Sequence, residues 1–105
     1  MFVISIDTLR ADHLAAWGGR GAQTAQTPAI DSLAKDSILF ENAIAQVPLT
    51  LPSHAAIFTG LLPFENGVRD NLGYRLPEGT ATLASLLKAA GYATGGAVSS
   101  AVLDR

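Results

Sequence analysis

The chain opens on an unbroken apolar and β-branched run, FVISI at residues 2–6, closed by Asp7. A run that does not alternate predicts a strand covered on both faces, as in a parallel sheet, with the Asp7 carboxylate at its C-terminal end. Residues 18–26 (GGRGAQTAQ) hold too few apolar side chains to pack and predict a surface loop. Thr27 and Pro28 then form an N-cap and first-turn pair, and Ile30, Leu33, Ala34 and Ile38 recur at helical spacing on one face. Residues 39–46 (LFENAIAQ) suit a short strand. In residues 47–60 (VPLTLPSHAAIFTG), Pro52 suits the first position of a short helix over 53–59 that Gly60 closes, which sets Thr50 just ahead of the helix N-terminus. Residues 61–79, with Pro63, Gly67, Gly73, Pro77 and Gly79, predict a loop with an extended piece near Val68. Thr80 or Thr82 caps a further helix, whose Leu83, Leu86, Leu87 and Ala90 lie at i, i+3, i+4 and i+7 and which stops at Gly91; residues 92–99 (YATGGAVS) predict another strand.

Strands alternating with helices predict an α/β fold with a mainly parallel sheet and flanking helices, without internal repeat or domain linker. Composition narrows the function classes. Hydrophobic residues are 49 % and charged residues 15 %, below the roughly 25 % of an ordinary soluble domain, so the chain is not of a disordered type. A mean hydropathy of +0.29 in so short a chain predicts apolar surface that expects a partner. Seven basic against nine acidic residues, unclustered, give no footprint for a nucleic-acid backbone. Apolar stretches are broken well before the ~20 residues of a spanning helix, and residues 2–6 lack the basic flank and cleavage site of a leader. With no cysteine there is no disulfide framework, and the compartment stays open.

Candidate chemistry sits where an open α/β sheet places it, at the carboxyl ends of strands: Asp7 and Thr50. Singly, Asp7 also reads as a turn residue and Thr50 as a helix cap. Together they say more. A hydroxyl at a helix N-terminus meets partial positive charge and unsatisfied N–H groups, which favour an alkoxide and an anionic oxygen. A divalent ion held partly by Asp7 would supply the Lewis acid that an alcohol needs to act as a nucleophile near neutral pH. His54, in the first turn after Thr50, either faces this site or packs against the loop at 61–64, and His13 is a weaker candidate. Asp12 reads as a cap for the segment after it, and Arg10 as a fork holding a loop carbonyl or carboxylate. The competing reading is a small α/β module that holds an anion at the helix end without chemistry.

Four segments, in order and spacing, carry a resemblance: VISIDTLRADHL at 3–14, TPAIDSLAKDSILFENAIAQ at 27–46, PLTLPSHAAIFTGLLP at 48–63, and TLASLLKAAGYATGGAVSS at 82–100. The chain resembles the sulfatase and alkaline phosphatase superfamily, in particular the sulfatase-like hydrolases. The resemblance implies an alkaline phosphatase-like fold, present incompletely, with residues 1–105 as the N-terminal portion of a single catalytic domain whose remainder is a required partner. It implies Asp7 as a metal ligand, Thr50 as nucleophile and second metal ligand, and His54 as a catalytic residue at the last position of a C/S/T-x-P-S-R/H motif. One divalent ion is expected, with Mn, Zn and Ca not distinguished, and the substrate is an anionic ester.

Two departures shape the expectation. Sulfatases of the formylglycine type carry Cys or Ser where this chain has Thr50, and Arg where it has His54; threonine cannot become formylglycine. Thr8 replaces the second Asp of a paired Asp-Asp motif, which lowers the charge of the site. The resemblance therefore implies a metal-dependent hydrolase or transferase acting on phosphate, phosphonate or sulfate esters through Thr50, with a sulfuric ester hydrolase as the alternative. Later metal ligands of the family are not found in these residues, so the chain by itself is expected to be inactive. Arg69, Asp70 and Asn71 match a loop of the relatives and are expected to anchor that loop.

Overall fold

The described α-helices each begin at or near a proline or a capping threonine. The structure, a computed structural model, describes residues 1–19 and 25–103 and divides into two compact units, Met1–Ala43 and Ile44–Arg105.

In the first unit the chain turns at Asp7 and Thr8, where the Leu9 N–H donates to the Ile6 carbonyl at 3.4 Å, and enters two 3-10 turns, Ala11–His13 and Ala15–Trp17. Leu14, between them, is 5 % exposed and pairs with Ala25 in an isolated parallel bridge. Gly19 closes this knot: a Cβ there would stand 2.7 Å from the carbonyl oxygens of Asp12 and Leu14, so no side chain fits. Arg10 forks onto Asp12 through Nε at 2.9 Å and Nη2 at 2.6 Å, as expected of Arg10. Asp12 is thus spent on Arg10 and does not cap the following segment. Its carboxyl is held below its ordinary value by those hydrogen bonds, and the pair is exposed enough that solvent screens it.

Helix α1, Pro28–Lys35, starts behind Thr27 as expected, but the Thr27 hydroxyl lies 3.5 Å from the Asp31 carboxylate rather than capping the backbone. Ile30 and Ala34 are half-buried, and Leu33 is 67 % exposed. The helix ends before Ile38, which stays exposed. Trp17 ties the following segment down by donating its indole N–H to the Phe40 carbonyl at 3.2 Å. The expected loop at 18–26 falls in part on residues 20–24, outside the described residues.

The second unit is built on α2, Thr50–Thr59, against which α3, Pro63–Asn66, and α4, Leu83–Ala89, pack. Gly60 ends α2 at φ 71°, a left-handed position that glycine adopts without Cβ strain. Of the two candidate caps for α4, the structure uses Thr82: its Oγ1 accepts from the Ser85 N–H at 3.1 Å, and Ser85 Oγ accepts from the Thr82 N–H at 2.8 Å. The stretch 61–79 is loop apart from the single turn of α3, and Val68 in it is wholly buried without forming a strand.

Among the described residues of this unit the buried ones are Pro52, Ala55, Ala56 and Val68 together with the polar Asn66, 3 % exposed. Asn66 is satisfied at both ends: Nδ2 donates to the Leu61 carbonyl at 3.1 Å and Oδ1 accepts from the Val68 N–H at 2.9 Å. Asn66→Ala in the intact protein is expected to lower stability by about 1–3 kcal/mol, because it strands the buried Val68 N–H. Urea denaturation followed by far-ultraviolet dichroism checks this, and an unchanged midpoint would refute it.

The expected strands differ from what is observed. Residues 2–6, 39–46 and 92–99 form no ladder, and among the described residues the only pairing is the Leu14–Ala25 bridge. Their apolar side chains are open to solvent, with Phe2 95 %, Ile4 84 % and Ile44 82 % exposed. A strand meant to be covered on both faces takes its hydrogen bonds from neighbouring strands and its burial from layers above and below. An apolar run without such neighbours has nothing to pair with.

Candidate active site

Asp7 stands at the end of the apolar run 2–6, on the turn of the first unit. Its Oδ1 accepts from the Thr8 N–H at 3.1 Å. Thr8 has φ 57°, a left-handed conformation that a β-branched residue adopts only under strain. The chain therefore holds a carboxylate on a sharp, strained corner, the kind of backbone outlier found at functional sites.

Thr50 and His54 lie together in the second unit, one helical turn apart on α2. His54 Nδ1 is 2.7 Å from the Thr50 carbonyl oxygen. A carbonyl only accepts, so Nδ1 carries the proton and Nε2 is the basic nitrogen of the neutral ring. The imidazole is thereby oriented by the backbone of Thr50. His54 also borders an open groove of about 430 Å³ whose lining includes Leu51, Ala55, Phe58, Leu76 and Val98, so one flank of the site is apolar. His13 sits in the first 3-10 turn, half-buried, where its carbonyl accepts from the Ala25 N–H at 2.7 Å.

The start of α2 corrects the sequence reading. Pro52 is not the first helical residue; Thr50 is, and Leu49 is the N-cap, its carbonyl accepting from the Ser53 N–H at 3.1 Å. The first turn of any helix has N–H groups without partners, so proline is tolerated throughout that turn and does not mark its first residue. Thr50 consequently lies inside the helix rather than just ahead of it. Leu49 has no side chain able to cap, and that function comes from across the loop: Asn71 Oδ1 accepts from the Leu51 N–H at 2.9 Å. Asn71 does anchor its loop, as expected, and the anchor is the helix of Thr50. Asn66 was not singled out from the sequence, although its place between Pro63 and Gly67 marks a turn.

For a divalent ion these residues supply a carboxylate of the right chemistry, Asp7, but not a full shell. Among the described residues no group of three or more His, Asp or Glu side chains comes together, and hard cations take about six oxygen ligands.

The sulfatase family model matches residues 1–100. The chain belongs to the sulfatase family. It is 37 % identical to a Δ4,5-hexuronate-2-O-sulfatase of Bacteroides thetaiotaomicron over 90 residues, covering 80 % of this chain and 19 % of that protein. Against human arylsulfatase D it is 35 % identical over 105 residues, 90 % of this chain and 17 % of the relative. Against rat steryl-sulfatase it is 36 % identical over 103 residues, 89 % of this chain and 17 % of the relative. The chain thus spans less than a fifth of the length of these sulfatases. No solved structure gives a significant match. Sulfatase family members generally depend on a divalent metal, and the family implies an alkaline phosphatase-like α/β fold. No described helix is long and apolar enough to cross a membrane.

Proposed function

We propose that these residues are the nucleophile-bearing part of a sulfuric ester hydrolase. The observation that supports this most is the TLPSH segment, on the first turn of α2 inside a match that covers residues 1–100. In this reading Thr50 Oγ attacks the sulfur of a sulfate ester as its proton passes to a base, and the ester oxygen departs with its electron pair and takes a proton to leave as the alcohol. Water then attacks the sulfur of the Thr50 sulfate, releasing inorganic sulfate and the free hydroxyl. His54, one turn along the helix with Nδ1 on the Thr50 carbonyl, exchanges these protons. Asp7 contributes one carboxylate to a divalent ion, and the remainder of the catalytic domain completes that ion's shell. With that remainder in place, residues 2–6 and 92–99 join a mainly parallel sheet, which covers the apolar side chains now exposed.

The identity of residue 50 favours a second reading. A threonine alkoxide, which cannot be processed to formylglycine, suits attack on phosphorus in a phosphodiester or phosphonate. The intact hydrolase, assayed with matched aryl sulfate, aryl phosphodiester and aryl phosphonate in Mn, Zn or Ca, separates the two. The expected outcome is the highest kcat/KM on the sulfate; preference for a phosphorus ester would replace this reading by the second.

A further inference from the structure

We infer that Asn71 is a positioning residue for Thr50, holding the first turn of α2 in register from a loop 20 residues downstream. The inference rests on Thr50 being the nucleophile.

The N-cap of α2 is Leu49, which offers no side-chain acceptor, and the third helical residue is Pro52, which has no N–H. The Leu51 N–H, next in chain to Thr50, is instead taken by Asn71 Oδ1 at 2.9 Å in a half-buried setting. The loop that brings Asn71 there is braced within itself, and its short helix α3 packs on α2. Glu65 accepts from the Leu62 N–H at 2.8 Å, Asn66 is buried and satisfied at both ends, and Val68 is wholly buried. Next to the cap, Asp70 Oδ1 accepts from the Asn71 N–H at 2.6 Å. The carbonyl of Thr50 is at the same time the acceptor for His54. Any unwinding of the first turn would therefore shift Thr50 and release the imidazole together. An ordinary cap resists fraying from within the local chain; here the resistance comes from a distant loop, so the geometry of Thr50 depends on that loop.

The test compares Asn71→Leu, Asn71→Asp and Thr50→Ala in the intact hydrolase, well below its melting temperature, with amide hydrogen exchange at Leu51. Asn71→Leu fills the space without an acceptor and is expected to lower kcat about 10–100-fold with KM little changed, since a misplaced reacting group affects the chemical step. Asn71→Asp keeps an acceptor and is expected to stay within about threefold of the wild-type kcat, as Asp and Asn cap comparably. Leu51 exchange should quicken in Asn71→Leu and stay slow in Asn71→Asp. Wild-type kcat in Asn71→Leu, or equal losses in both variants, would overturn the inference while an inactive Thr50→Ala leaves the nucleophile reading standing. A fully active Thr50→Ala would overturn the nucleophile reading and the positioning role with it. If Asn71→Leu does not fold, exchange in the wild type decides: protection of Leu51 like that of Ala56 supports the cap, and exchange as fast as an exposed loop amide overturns it.

Discussion

Thr50→Ala in the intact hydrolase is expected to reduce turnover on the order of 10⁴-fold or more, the scale of removing an activated nucleophile. Thr50→Ser, which keeps the hydroxyl and loses only the methyl, should retain a measurable part of the rate. Ser53→Ala should lose far less than Thr50→Ala, because Ser53 lies three residues further into the helix and the bond its N–H makes to the Leu49 carbonyl survives in alanine. Steady-state kinetics on the preferred aryl ester checks all three. Full activity in Thr50→Ala, or a loss in Ser53→Ala as large as that of Thr50→Ala, would move the nucleophile elsewhere.

The second large effect is expected at Asp7. Asp7→Asn keeps the size and the acceptor oxygen that holds the Thr8 N–H, but removes the negative charge. Metal affinity of the intact protein should fall at least about 10–100-fold, since even outer partners of metal ligands have effects of that size. Calorimetric titration with the metal that supports activity measures this directly, with no reliance on turnover. An unchanged affinity would remove Asp7 from the metal site. The strained Thr8 makes the corner itself a determinant, so the two residues should be varied separately.

What could be read along the chain was what is made of near neighbours in sequence. Thr82 with Ser85, Thr27 with Pro28, and the glycines at 60 and 91 act within one turn, and the helices stand where these signals placed them to within a few residues. The register error at Pro52 arose because proline fits every position of a first turn. His54 falls one turn after Thr50, so their proximity also follows from helical spacing alone.

The strands were another matter. FVISI at 2–6 has the composition of a buried parallel strand, but a strand is a relation between segments, and its ladder depends on partners that no local pattern specifies. The sequence by itself determined the family and the helices α1, α2 and α4, through motif order and contacts at i and i+4, and it set His54 one turn after Thr50 while leaving the direction of its side chain open. Only the tertiary structure decided that Leu51 is capped by Asn71 and that Asn66 is the buried polar centre of the second unit. An N-cap normally lies within three residues of the N–H it satisfies. This one lies 20 away, and closing such a loop onto a helix end requires the packing of Val68 and α3 that brings the two together.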